Sequence, residues 1–136
     1  MTYRVVVWGT GNVGRPAIRA VAAHRDLELV GVVVSNPAKV GKDAGELAGI
    51  GSLGVAATDD VEIAFAPDVD CVVYAATADT RPMEAYMDLE RLLRSGRNVV
   101  STAFYPLLHP ASAPPELMGM LTPAMDAGNS SVFVSG

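Results

Sequence analysis

Three glycines stand at the spacing G-x-G-x-x-G close to the N-terminus, in Trp8-Gly9-Thr10-Gly11-Asn12-Val13-Gly14-Arg15. That spacing arises by chance in many chains and carries meaning only where a strand precedes it and a helix follows. Both flanks are present here. Tyr3 to Trp8 ("YRVVVW") is a near-continuous β-branched, apolar run stopped by glycine, as in a strand buried on both faces of a parallel sheet. From Val13 to His24, the apolar residues Val13, Ala17, Ile18, Val21 and Ala22 recur at helical spacing, while Arg15, Arg19 and Arg25 fall elsewhere. Pro16 is discordant: with a helix start near Asn12 it stands at the edge of the first turn, where its missing N–H is expected to cost a hydrogen bond or tilt the helix slightly. Leu27 to Val34 ("LELVGVVV") is a second buried-strand run, so the opening is a βαβ unit.

Further along, a short helix is expected near Asp43 to Ala48. A glycine-rich Gly49–Gly54 segment and a short strand around Val55 to Ala57 follow, with Asp59 as the cap of the next turn. Val69 to Ala75 returns to strand, and a helix runs from about Pro82 to Ser95, with proline at its start and Gly96 beyond its end. On that helix Met83, Tyr86, Leu89 and Leu93 share an apolar side, and Glu90 pairs with Arg94 four residues on. Asn98 to Ser101 is a strand and the proline-rich Tyr105 to Pro115 a loop. Glu116 to Ala127 is a helix interrupted or started late by Pro123, and Ser131 to Val134 is the last strand. This alternation predicts an α/β fold: a Rossmann-like, doubly wound parallel sheet with helices on both faces and strand order 3-2-1-4-5-6.

Residues 1–136 form one domain, since 136 residues with 50% hydrophobic content support one core but not two ordinary domains. With no helix expected to cover the last strand, the domain reads as the front of a longer two-domain polypeptide. A net charge of -5 without any Lys/Arg cluster argues against a nucleic-acid partner. No apolar run approaches the roughly 20 residues of a membrane span, and no signal segment precedes the first strand, so a cytoplasmic location is expected. Cys71 is the single cysteine, which suits a reducing compartment.

Within the glycine stretch, Gly9 would make the tight turn, Gly11 would let the backbone approach a pyrophosphate, and Gly14 would let the helix pack against the strand. Thr10, Asn12, Val13 and Arg15 complete the candidate phosphate loop, served by free N–H groups and the positive end of the helix dipole. The alternative is a glycine-rich turn with no ligand. After the second strand an NAD enzyme usually places a carboxylate for the ribose hydroxyls, but here the chain reads Val34-Ser35-Asn36-Pro37-Ala38-Lys39. A hydroxyl, an amide and an ammonium group accept a 2′-phosphate, so NADP(H) is favoured over NAD(H), with Ser35, Asn36 and Lys39 as contacts. The bland reading is an Asn-Pro turn and a solvated lysine. Ala76 and Thr77 after the fourth strand, and Thr102 and Ala103 after the fifth, complete the cofactor candidates. Small residues there let a nicotinamide ribose pass close to the backbone.

Cys71 reads as a core thiol, His24 as a residue at a helix end, and Asp59 with Asp60 as caps rather than metal ligands. His109 and Tyr105 follow the fifth strand on the side expected to face the ligand, as candidate proton donors or substrate contacts. Motifs for a nucleophile triad, a zinc site or a G-K-[ST] phosphate loop are missing, and no catalytic residue is assigned.

With "YRVVVWGTGNVGR", "LELVGVVVSNPAKVGKDAGELAG" and "GRNVVST" in view, the chain resembles the N-terminal domain of the dihydrodipicolinate reductase-like family. The resemblance is strongest to its branch of 2,4-diaminopentanoate dehydrogenase and native amine dehydrogenases. It implies an NAD(P)-dependent oxidoreductase transferring hydride to or from a C=N or C=O bond of a small-molecule substrate. It also implies a homo-oligomer built through a second domain. Amine-forming members carry an acidic residue shortly after the "VVST" strand, where this chain has Ala103-Phe104-Tyr105, so that carboxylate is not carried over. Phe104 and Tyr105 suggest a more apolar site. The Gly-Thr-Thr-Gly loop of the true reductases is also missing. A module that binds NADP(H) without turnover is the competing reading.

Overall fold

The computed structural model describes residues 1–76 and 81–135. Its elements are β1 (Tyr3–Trp8), α1 (Gly14–Ala23), β2 (Leu27–Val33), α2 (Ala44–Leu47) and β3 (Ala57–Thr58), followed by β4 (Cys71–Tyr74), α3 (Pro82–Arg94), β5 (Asn98–Ser101), α4 (Pro115–Gly128) and β6 (Val132–Val134). The six strands form one parallel sheet in the order β3-β2-β1-β4-β5-β6, as the alternation predicts. Among the described residues no helix is long and apolar enough to cross a membrane.

Strand geometry sends alternate side chains to opposite faces, and β1 uses both. Val5 and Val7 pack with Ile18 and Val21 of α1, Ala44 of α2 and Val32 of β2. Val6 and Trp8 pack on the other face, with Val72, Tyr74, Leu89 and Leu92. Each buried valine or leucine contributes about 1.5–3 kcal/mol, so this central strand anchors two cores at once. The ends of its neighbours then converge where β1 runs into the glycine loop.

Several local expectations are revised. The short strand lies at Ala57–Thr58, because Ala56 is instead bridged antiparallel to Asp43. Asp60, not Asp59, caps the following 3-10 turn Val61–Phe65, its side chain accepting from the Glu62 N–H at 3.0 Å. Met83 is exposed, and α3 buries Ala85, Leu89, Leu92 and Leu93. The proline-rich segment folds into two 3-10 turns, Tyr105–Leu108 and Pro110–Ser112. The last helix runs unbroken through Pro123, since the ring points to solvent while Leu121 and Ala124 face the core. A helix bends away from its solvent side at such a position without losing its packed face.

Candidate functional site

The loop between β1 and α1 is fixed by its own backbone. The Gly9 N–H donates to the Val33 carbonyl at 2.8 Å, and Gly9 has φ +112°, a conformation that side chains rarely adopt. A Cβ on Gly9 would stand 2.8 Å from the Ala76 nitrogen, and one on Gly14 would stand 1.9 Å from the Gly9 carbonyl oxygen. Those two glycines are demanded by the fold. Gly11 is different: a Cβ there would meet nothing within 4 Å, so the space beside it is open. Helix α1 is preceded by Val13, which offers no side-chain cap, and has no acidic residue in its first turn, which leaves its first N–H groups and its positive dipole end without a protein partner of that kind.

That open space belongs to a cleft of about 700 Å³ at the C-terminal ends of the strands. Gly9, Thr10, Gly11, Asn12 and Val13 form one wall. Ser35, Asn36 and Lys39, which follow β2, form a second. Ala75, Ala76, Thr102 and Ala103, at the ends of β4 and β5, form the third. The structure therefore brings together eleven of the fourteen cofactor candidates, namely Gly9, Thr10, Gly11, Asn12, Val13, Ser35, Asn36, Lys39, Ala76, Thr102 and Ala103. Gly14 and Arg15 stand outside this lining. Gly14 packs beneath Gly9, and the Arg15 guanidinium turns back to the Gly11 carbonyl and the Asn12 side chain, both at 3.4 Å. Thr77 lies outside the described residues.

Side chains hold the second and third walls. Asn36 Oδ1 accepts from the Ala38 N–H at 3.0 Å and so caps its own 3-10 turn, Pro37–Lys39. Lys39 Nζ crosses to the glycine loop and donates to Thr10 Oγ1 at 3.1 Å and to the Thr10 carbonyl at 3.2 Å. The buried Ser101 hydroxyl donates to the Tyr74 carbonyl at 2.7 Å and accepts from the Ala103 N–H at 3.0 Å, tying the ends of β4 and β5 together beneath Thr102.

Three lining residues lie beyond the candidate set, namely Ala75, Arg81 and Tyr105. Tyr105 follows β5 as expected and is exposed at the rim, whereas its neighbour Phe104 is fully buried. The Phe104 ring packs between Tyr74 and Tyr86 at centroid separations of 5.3 and 5.0 Å, so it belongs to the core and not to an apolar substrate surface. Sequence reasoning missed Arg81, although a cation at the start of the helix after β4 was a usable signal. Its guanidinium pairs with Glu84 at 2.7 Å. Arg81 also borders a smaller adjoining pocket of about 280 Å³ with Trp8, Asp59, Val61, Glu84 and Asp88. At its edge the Tyr74 hydroxyl donates to Asp88 Oδ2 at 3.0 Å. Burial raises the pKa of the Asp88 carboxyl, and burial followed by the Asp88 charge raises that of the Tyr74 phenol.

The remaining candidates have local partners. His109 Nδ1 sits 2.6 Å from Ser112 Oγ, and His109 is not among the lining residues of the cleft. His24 Nδ1 accepts from the Asp26 N–H at 3.1 Å just beyond α1. Burial pushes the Cys71 thiol up to about 11, which keeps it protonated and unreactive.

Residues 3–104 match the family described as dihydrodipicolinate reductase, N-terminus. An amine dehydrogenase of Streptomyces virginiae is 55% identical over 132 residues, covering 96% of this chain and 37% of that protein. A 4-hydroxy-tetrahydrodipicolinate reductase of Picosynechococcus is 35% identical over 101 residues, covering 72% of this chain and 37% of its own length. The solved amine dehydrogenase of Mycobacterium smegmatis superposes with a TM-score of 0.83 at 27% identity, covering 100% of this chain and 40% of its own. The chain thus spans well under half the length of these relatives. By the family match and by a relative 55% identical across nearly its whole length, the chain belongs to the dihydrodipicolinate reductase N-terminal family, the nicotinamide-nucleotide-binding domain of oxidoreductases.

Proposed function

We propose that the cleft binds NADP(H) in preference to NAD(H), and that the protein transfers hydride to or from a C=N or C=O bond of a small molecule in the cytosol. The carrying observation is the contrast at the glycines: Gly9 and Gly14 have steric reasons inside the fold, while Gly11 has none and faces open space. A pyrophosphate laid against Gly11 gives it one. The same phosphates would meet the uncapped N-terminus of α1, where dipole and N–H groups favour an anion. At the adenosine end, Ser35, Asn36 and Lys39 offer hydroxyl, amide and ammonium groups to a 2′-phosphate. At the other end, the small side chains of Ala76, Thr102 and Ala103 leave room for the nicotinamide ribose.

When bound, the nicotinamide supplies or accepts the hydride, and the chain's own task is to orient that ring and exclude water from it. Ser101 serves this by holding the ends of β4 and β5 in register. Tyr105 brings a phenol to the rim on the same side, within the lining of the cleft. The relatives named amine dehydrogenase favour a C=N substrate.

The test is a paired titration with NADPH and NADH, followed by nicotinamide fluorescence, on the parent chain and Gly11→Val. The variant should lose at least about tenfold in affinity, roughly 1.4 kcal/mol, while its urea midpoint stays unchanged. Parent-like affinity in the variant would overturn the reading.

A further inference from the structure

The smaller pocket beside the cleft has a chemistry of its own. It shares Gly9, Ser35, Ala76 and Arg81 with the cleft, so a single ligand can run from one into the other. At about 280 Å³ it falls below the roughly 300–1,000 Å³ of a whole-ligand site and suits one ring system of a larger molecule. Val33, Val34 and Val61 give it apolar walls, while Asp59, Glu84 and Asp88 give it three carboxylates. Arg81, its one cation among the described lining residues, is paired with Glu84 at 2.7 Å. The charged lining is therefore dominated by acceptors. Asp59 and Glu84 are exposed, but Asp88 is partly buried and held in place. The Tyr74 hydroxyl donates to Asp88 Oδ2 at 3.0 Å, and Tyr74 is itself 1% exposed, set between the rings of Trp8 and Phe104 at centroid separations of 5.2 and 5.3 Å. That bond uses one of about four acceptor positions on a carboxylate.

Resting on the reading of the cleft as an NADP(H) site, we propose that Asp88 is the residue that selects adenine over other bases, its carboxylate accepting from the exocyclic amine while the Tyr74 hydroxyl fixes its direction. The two pockets meet at Ser35, on the wall assigned to the adenosine end, so the base enters the smaller one as the 2′-phosphate meets Ser35, Asn36 and Lys39. An amine donates where the carboxylate accepts. A 6-oxo base such as hypoxanthine turns an oxygen toward the same carboxylate, and two acceptors facing each other in a partly desolvated site are both left unpaired.

The test is a fluorescence titration of the 136-residue chain with NADPH and with its hypoxanthine analogue, which differs only in the base. The parent should bind NADPH at least about tenfold more tightly. In Asp88→Asn the Tyr74 hydroxyl still donates to the amide oxygen, which turns the amide nitrogen toward the base as a donor, so the preference should disappear or reverse. Glu84→Gln removes the same charge from the same pocket and should move the two affinities together. Equal binding of the two cofactors by the parent, or a parent-like ratio in Asp88→Asn, overturns the proposal and leaves the NADP(H) reading standing. An equal fall of the ratio in Glu84→Gln also overturns it, because the preference then comes from the charge of the pocket as a whole. Failure of the parent to bind either cofactor overturns the proposal together with the reading beneath it. Should Asp88→Asn not fold, Tyr74→Phe decides: the carboxylate stays but loses its anchor, so the ratio should fall at least about threefold. An unchanged ratio there overturns the proposal.

Discussion

The loop after β1 and the turn after β2 face each other across one cleft, yet they are held in different ways. The loop takes its shape from what glycine lacks: Gly9 adopts φ +112°, and the missing Cβ of Gly14 lets α1 close onto the Gly9 carbonyl. The turn takes its shape from side chains, with Asn36 capping its own 3-10 turn and Lys39 reaching over to Thr10. A site built by the backbone leaves a spacing pattern that can be read from the residues. A site built by side chains leaves only residue types, and the same amide or ammonium group serves fold and ligand alike.

The largest effect expected from this contrast is at Gly14. A methyl group there has backbone as its neighbour, which cannot swing aside, so Gly14→Ala should lose about 3 kcal/mol or more by urea unfolding. Gly11→Ala, placed in open space, should stay within about 0.5 kcal/mol of the parent. A Gly14→Ala chain as stable as the parent would show that the loop yields, and the distinction between the two glycines would collapse.

The same division explains what was legible in advance. β1, α1, β2 and the strand order follow from continuous apolar runs and helical periodicity, signals that each segment carries by itself. Phe104 was not legible, because it adjoins the exposed Tyr105 in sequence and is buried only through the rings of Tyr74 and Tyr86, which come from other elements. The reach of Lys39 to Thr10 depends likewise on a distance that no local pattern encodes. Arg81 enters the cleft only because β4 and α3 set it at the switch point of the sheet.

Lys39 is where the double use of a side chain is testable. If its ammonium group reads the 2′-phosphate, Lys39→Glu should weaken NADPH at least about tenfold more than NADH, a difference of roughly 1.4 kcal/mol. Equal losses for the two cofactors would assign Lys39 wholly to its bonds with Thr10, leaving Ser35 and Asn36 as the remaining polar groups of that wall. Paired fluorescence titrations at fixed ionic strength make the measurement.

Asp43 gives a third loop, made by a side chain and away from the cleft lining. Its carboxylate accepts from the N–H groups of Leu53, Gly54, Gly45 and Glu46 at 2.8 to 3.2 Å, folding the glycine-rich segment back onto the start of α2. These bonds, led by that from Leu53, lower its pKa from 3.8 to about 2. A carboxylate whose folded pKa is depressed adds stability above its unfolded pKa and loses it as pH falls through the folded one. Asp43→Asn removes that titration, so the thermal midpoint of the parent should exceed that of the variant from neutral pH down to about 4. The gap should then close as pH approaches 2. NADPH affinity at pH 7 should be the same in both, because Asp43 shares no wall with the cleft. A loss of affinity in Asp43→Asn would mean that the segment around α2 shapes the nucleotide site, and that loops made by side chains are coupled across this face of the domain.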